Sequence, residues 1–288
     1  MSYKLPAAVA MVSAGLAGLS QASDDVYKMD NIVVTASRTA QTIDQALAPV
    51  TVITREDIER SQAKDVTELL NKVPGMQIAT SGGMGSKAGI YLRGTRTAQT
   101  LVLIDGVMTR SGDFGEAPLQ YLDPDQIERI EVVRGPKSSL YGPNAVGGVI
   151  HIITRQGKGD PRLRLKVGGG SHGTGEYALN YGGEVDGTKF NLGARLYETR
   201  GFDRTLTSEG VDGDDDAYRN KSISGNVSRR FANDMEAGFR FSHATGKSEY
   251  DNNDGNKHQK GPYSLFDVTN ISGFVTMPVT QLWNTKLD

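Results

Sequence analysis

The sequence predicts an α+β domain followed by the first strands of an antiparallel transmembrane β-barrel. Three observations carry this. Helix-start signals and short β-branched runs alternate through the first half, and after Pro161 the chain keeps a two-residue alternation with no helical period. Turn formers are in surplus, with 35 Gly in 288 residues against a usual ~7%. With 37% apolar and 23% charged residues the chain has material for a core, and collagen-like or simply disordered chains are excluded.

Lys4 precedes a small and apolar run, 5–19, and Ser20-Gln21-Ala22 places small residues before a cut after Ala22, so residues 1–22 read as a secretory signal peptide. A membrane-spanning helix would need about 20 apolar residues, and this run is broken by Pro6, Gly15 and Gly18. Residues 23–40 form a polar leader around the β-prone patch Ile32-Val33-Val34-Thr35-Ala36. Such a patch can add as a strand to a partner's sheet edge, or be the first strand of the domain itself.

Residues 41–157 make the α+β domain. A strand at 50–53 runs into Thr54-Arg55-Glu56-Asp57, a capping-box start, and a second helix start follows at Asp65-Val66-Thr67-Glu68. That helix carries Leu69, Leu70 and Val73, and Pro74-Gly75 stops it. Further β-rich runs stand at 89–93, 100–104, 127–134 and 149–154, joined by Gly-rich connections.

Residues 158–288 alternate. Leu163, Leu165 and Val167 point one way and Arg162, Arg164 and Lys166 the other; Tyr177, Leu179 and Tyr181 oppose Glu176 and Asn180; Phe190, Leu192, Ala194 and Leu196 oppose Asn191 and Arg195. The period continues in Ala237, Phe239 and Phe241 against Arg240, and in Ile271 and Val275 against Ser272, giving about six strands with the run 222–231. Connections 168–174, 183–188 and 231–234 are tight, whereas 199–221 and 245–267 are long and rich in Asp, Asn and Gly. Short turns at one end and long loops at the other describe an outer-membrane barrel. A soluble β-sandwich alternates in the same way, but basic residues on one face and aromatics on the other favour a wet lumen.

Taken together, the first half resembles the plug of TonB-dependent outer-membrane transporters. Asp30-Asn31-Ile32-Val33-Val34-Thr35-Ala36 is similar to the family's TonB box, and Leu69-Leu70-Asn71-Lys72-Val73-Pro74-Gly75 to its plug motif. Ile90-Tyr91-Leu92-Arg93-Gly94 resembles the Arg-Gly strand, and Leu101-Val102-Leu103-Ile104-Asp105-Gly106 the central one. The most specific run is Ile127-Glu128-Arg129-Ile130-Glu131-Val132-Val133-Arg134-Gly135-Pro136, continued by Ser139-Leu140-Tyr141-Gly142 and Gly147-Gly148-Val149-Ile150. Within the family, Thr80-Ser81-Gly82-Gly83-Met84-Gly85 and Thr199-Arg200-Gly201-Phe202-Asp203 look most like the cobalamin transporters.

The resemblance implies active uptake of a scarce nutrient complex across the outer membrane of a Gram-negative bacterium, most like cobalamin, with a ferric siderophore or haem as the alternative. It implies a monomer in outer-membrane lipid that receives energy from the inner membrane when TonB pairs with the box. No covalent chemistry and no required cofactor are expected. Ser81, Met84 and Lys87 align with a substrate-facing turn, although a cation at Lys87 would suit an anionic siderophore. Arg93, Glu128, Glu131 and Arg134 take the role of a charge network between plug and barrel wall, against ordinary surface pairing. Asp203, Asp214, Asp216 and Asp251 match loops that bind Ca²⁺ in cobalamin transporters, a hard-oxygen set, or else they are turn residues in solvated loops. A closed barrel of the family takes about 22 strands. With about six strands after Pro161 and no terminal aromatic, the sequence reads as the front portion of a longer chain.

Other classes fare poorly. A net charge of −2 without a basic block gives no electrostatic footprint for nucleic acid, and zero Cys excludes disulfide scaffolds and thiolate chemistry. His151, His172, His243 and His258 lie far apart, no nucleophile elbow on a strand-to-helix turn is expected, and Gly83-Met84-Gly85-Ser86-Lys87 has the wrong order for a phosphate loop. A calcium-dependent secreted adhesin or lectin would explain the acidic loops, but not the ordered plug motifs.

Overall fold

The structure, a computed structural model, describes residues 33–34, 41–42, 48–111, 115–203, 215–250, 262–280 and 283–287. The expected signal peptide, the box residues Asp30, Asn31, Ile32, Thr35 and Ala36, and Asp214 and Asp251 lie outside the described residues. Residues 33–288 form one compact unit.

The unit opens with a two-residue antiparallel pair, β1 (Val33–Val34) with β2 (Gln41–Thr42). β3 (Val50–Ile53) leads into α1 (Arg55–Ser61), whose N-cap is the expected capping box: the Asp57 amide donates to Thr54 Oγ1 at 3.2 Å, and the Thr54 amide to Asp57 Oδ2 at 3.0 Å. α2 (Val66–Leu70) is capped by Asp65 and buries Val66, Leu69 and Leu70, a three-and-four spacing that aims one helix face at the core. Gly75 then takes φ +78°, a left-handed turn beyond Pro74 that sends the chain into β4 (Met76–Thr80). β4 pairs with β5 (Ala88–Leu92), so the turn expected around Ser81, Met84 and Lys87 is the tip of a hairpin.

β6 (Thr100–Ile104), β7 (Val107–Met108), β8 (Ile127–Arg134) and, after the single turn α3 (Ser138–Tyr141), β9 (Gly148–Thr154) complete a five-stranded sheet with β3. Its order is β3-β8-β9-β6-β7, with β6 and β9 parallel and the other pairs antiparallel. The central strand is therefore β9, and not the run around Leu101 expected in that place. Leu70, Leu92, Ile130 and Ile150 are fully buried, and α1 and α2 pack on this core.

Among the described residues seven strands follow as one meander, one more than the alternation gave: β10 (Arg162–Gly170), β11 (Thr174–Val185), β12 (Thr188–Thr199), β13 (Tyr218–Arg230), β14 (Glu236–Glu249), β15 (Tyr263–Thr280) and β16 (Trp283–Leu287). All pair antiparallel with their sequence neighbours. The strands extend further into the loops than expected, because β13 begins at Tyr218 and β15 at Tyr263. Their outward face is apolar and bare, with Leu165 70% and Val167 77% exposed, while Asn180, Asn191, Arg195 and Asn220 are buried on the inward face. Gly169-Gly170-Ser171-His172-Gly173 carries the letters of a nucleophile elbow, yet it ends β10 and makes the turn into β11, where Thr174 Oγ1 donates to the Ser171 carbonyl. The serine therefore sits in a strand-to-strand turn and not in the strand-to-helix turn that this chemistry uses.

Candidate ligand-binding site

Two plug segments, the β4–β5 tip at 81–87 and residues 109–111 and 116–118 after β7, meet one end of β14 and β15 around a cleft of about 920 Å³. The tip is held by its own backbone. The Ser81 amide donates to the Lys87 carbonyl at 3.0 Å, Ser81 Oγ donates to the same oxygen at 3.3 Å, and the Ser86 amide donates to the Gly83 carbonyl. Gly85 takes φ +78° directly against the Tyr218 ring, where an added Cβ would stand 2.2 Å from a ring carbon. Only glycine lets the plug approach the wall this closely.

Beneath the cleft lies an aromatic floor. Tyr121 of the plug stacks on Phe266 of β15 at 3.9 Å with an interplanar angle of 8°, and Phe266 adjoins Tyr218, Tyr197 and Ala244. Asn220 donates through Nδ2 to the Tyr121 carbonyl at 3.2 Å, and Ser248 Oγ donates to the Met84 carbonyl at 2.7 Å. Of the three residues expected to face substrate, Ser81 and Lys87 line the cleft, while Met84 packs into this floor. Lys87 Nζ lies 3.4 Å from Glu116 Oε2, so the two plug segments are bridged by opposite charges.

Lower down, the plug is seated on the wall by charge. Arg195 of β12 reaches Glu176 Oε1 at 2.8 Å and Asp123 Oδ1 at 3.7 Å, and donates to the Lys64 carbonyl. Lys166 of β10 bridges Glu176 at 2.9 Å and Asp125 at 3.1 Å. Asp125 also meets Arg55, which donates to the carbonyls of Pro124 and Ile127. Arg240 of β14 lies 3.5 Å from Asp105, whose carboxylate accepts from both the amide and the hydroxyl of Thr154. Burial raises the Asp123 carboxyl above the ordinary carboxylate range, Arg195 opposing, and its Oδ2 is buried without a hydrogen bond.

The four residues expected to form a charge network, Arg93, Glu128, Glu131 and Arg134, make the following contacts among the described residues. Glu128 pairs with Lys158, and Glu131 is fully buried beside Arg129 and His151 within the plug sheet. Arg134 donates to the Pro74 carbonyl. Arg93 has φ +52° with Gly94 at +78°, and its amide donates to the Gly75 carbonyl at 2.7 Å, so the Arg-Gly pair shapes a turn. Glu131 thus finds its partners within the plug sheet, Glu128 reaches Lys158 just beyond the plug, and the described contacts with the long strands are made by Asp105, Asp123 and Asp125 at strand ends and turns. Inward-pointing Arg195, Arg240 and Lys166 were the available sequence signal for them.

Asp203 and Asp216 stand at the two ends of one long loop, and Gly201 lies against the Asp216 carbonyl. Among the described residues no three acidic or histidine side chains gather as a metal site.

The family model "TonB-dependent Receptor Plug Domain" matches residues 42–149. The chain is 35% identical over 253 residues to the vitamin B12 transporter BtuB of Photobacterium profundum, covering 87% of this chain and 41% of that relative. Solved structures share the fold: the ferric-catecholate import receptor Fiu from E. coli in an open form (TM-score 0.68, 17% identity, 88% of this chain and 39% of that one). A mutant of the ferric enterobactin receptor PfeA from Pseudomonas aeruginosa, in complex with enterobactin, gives TM-score 0.61 at 24% identity, over 81% of this chain and 38% of that one. The chain thus spans about two-fifths of the length of each.

Proposed function

This chain belongs to the TonB-dependent receptors, whose plug it carries, and from that premise we propose that the protein is an outer-membrane transporter that takes up cobalamin. The observation that carries the reading is the chemistry of the cleft. Its lining includes the neutral hydrogen-bonding groups Ser81, Thr109, Ser111, Gln120, Ser264 and Asn270, and its one plug lysine is compensated by Glu116. Cyanocobalamin is uncharged overall and rimmed with carboxamides, which such a lining can bond without burying an unpaired charge. The relative named as a vitamin B12 transporter supports the same substrate.

A ferric siderophore is the second reading, favoured by Arg110 on the cleft rim and by the siderophore-receptor neighbours in fold. Equilibrium binding of cyanocobalamin and of a ferric tris-catecholate to the complete gene product separates the two. Binding of the ferric chelate alone overturns the cobalamin reading.

Energy would enter at the box. Val33–Val34 is already extended and paired with Gln41–Thr42, a geometry that TonB can compete for by offering its own strand edge. Val33→Pro removes one ladder donor and should abolish active uptake while leaving binding intact. Unchanged uptake would sink this role. Calcium held by Asp203, Asp214, Asp216 and Asp251 would order the loops over the cleft, and cobalamin binding should then weaken on chelation. The substrate crosses unaltered, with no bond made or broken.

A further inference from the structure

We propose that the outward face of the strand sheet holds one phosphate-bearing glycolipid of the outer leaflet, with an acyl chain in the groove over Ala194 and the phosphate on Lys221.

Pleating sorts β13 into two faces, and its outward series is Arg219, Lys221, Ile223, Gly225, Val227 and Arg229. Arg219 and Arg229 are about 33 Å apart along the strand, which a tilt of about 40° reduces to about 25 Å, the height of a barrel's apolar band. The two arginines thus mark its borders. Arg219 is at the end from which the long connections leave, and in such barrels these open outside the cell. Lys221 stands about 5 Å inside that outer border, opposite Leu196 on β12 and Thr245 on β14. An ammonium at the edge of hydrocarbon is unfavourable without a counter-charge. Its charged neighbours already have theirs: Arg219 lies 3.1 Å from Glu198, Lys247 2.5 Å from Glu249, and His243 3.6 Å from Asp267. Among the described residues Lys221 has no such partner.

One pleat repeat deeper, the sheet is hollowed. Ala194 stands in register between Leu179 and Ile223, and its short side chain leaves a groove of about 540 Å³ between the longer ones. That volume suits a small ligand, for which sites of about 300–1,000 Å³ are usual. Leu165 and Val167 continue the apolar lining across β10, while Lys221 and His243 border the groove on the other side. The groove and the free cation therefore select an amphiphile together: a chain fills the hollow, gaining contacts that a flat lipid layer would leave unmade, and an anionic headgroup meets Lys221. Depth decides the leaflet. A lipid of the inner leaflet would place its headgroup near Arg229, at the far border.

The test is native mass spectrometry of the complete gene product in detergent micelles, titrated with lipid A, a diphosphorylated glycolipid, and separately with phosphatidylglycerol. The wild type should retain one lipid A. Lys221→Gln should weaken its binding about fivefold, the effect of one lysine beside an anionic headgroup, and Lys221→Arg should restore it. Ala194→Leu fills the groove and leaves every charge in place, and it should weaken binding at least as much. Arg229→Gln, at the opposite border, should change nothing. The proposal is overturned if either Lys221→Gln or Ala194→Leu binds lipid A as the wild type does, or if Arg229→Gln shares the loss, which would mark a general weakening of the barrel. Phosphatidylglycerol retained as tightly as lipid A would overturn the assignment to an outer-leaflet glycolipid.

Discussion

In the plug, Leu70, Leu92, Ile130 and Ile150 are wholly buried; in the strand sheet Leu165 and Val167 are largely bare while Asn191, Arg195 and Asn220 are hidden. The same physical rule produces both patterns with different surroundings. A plug bathed in water on its free surfaces must turn its aliphatic side chains inward. A wall facing hydrocarbon turns them outward and leaves the polar side chains to meet the plug. Away from the aromatic cluster around Tyr121 and Phe266, the boundary between the halves is consequently polar and held by pairing of charges.

The largest break in that contrast should come from Arg195→Met, which leaves Asp123 buried without its nearest cation at a cost of about 3–5 kcal/mol, while Glu176 keeps Lys166. Folding into lipid vesicles against urea measures it. The cost should shrink at acid pH. Burial already raises the Asp123 carboxyl, so the protonated form favours the fold, and the stability it contributes is present below the ordinary carboxylate range and lost as pH rises through the raised value. Removing Arg195 raises that value further, so the variant should regain stability on acidification.

Leu70→Ala should cost about 2–5 kcal/mol by opening a cavity in the plug core, read in the same assay. On the outward face Leu165→Arg should cost about 2–4 kcal/mol at the bilayer midplane, falling toward about 0–1 kcal/mol near an interface. The depth dependence is itself informative, because an equal cost in lipid and in water would place that face against protein. The smallest effect is at the α1 cap, where Thr54→Ala should cost about 1 kcal/mol near pH 7. Hydrogen bonds from Thr54 hold the Asp57 carboxyl below its ordinary value, so the stability this cap gives is full above that value and lost as pH falls through the lowered one. The gap between the wild type and Thr54→Ala should therefore narrow in strong acid without closing, because the bond from the Asp57 amide to Thr54 Oγ1 does not titrate.

Local features were legible in the sequence. The Thr54 capping box, the Asp65 cap, the strands at 50–53, 100–104 and 127–134, and the inward alternation of Arg164, Lys166 and Arg195 all follow from residues within a few positions of one another. Three things were not. Met76–Thr80 offers only Met76 and Ile78 as apolar signals, and it becomes a strand because β5 supplies a ladder. β16 is five residues long and pairs across a register shift at the end of β15. The plug-to-wall contacts join residues such as Arg195 and Asp123, or Arg240 and Asp105, whose meeting depends on how far the wall stands from the plug. No local pattern encodes that distance. Lys87 shows the converse hazard: its charge was legible, but the compensating Glu116 lies on another segment.

One consequence of the sheet order concerns mechanical load. Among the described residues β3 is an edge strand that pairs with β8 alone, through four facing pairs, and in the chain it follows the two-residue ladder of β1 and β2. Traction applied at Val33 therefore reaches the weakest rung of the plug first and opens it bond by bond, as a zip parts, whereas traction from the other end would have to shear β9 between two neighbours. Single-molecule pulling from the two ends should show this as a lower rupture force at the N-terminal side, and equal forces would refute it.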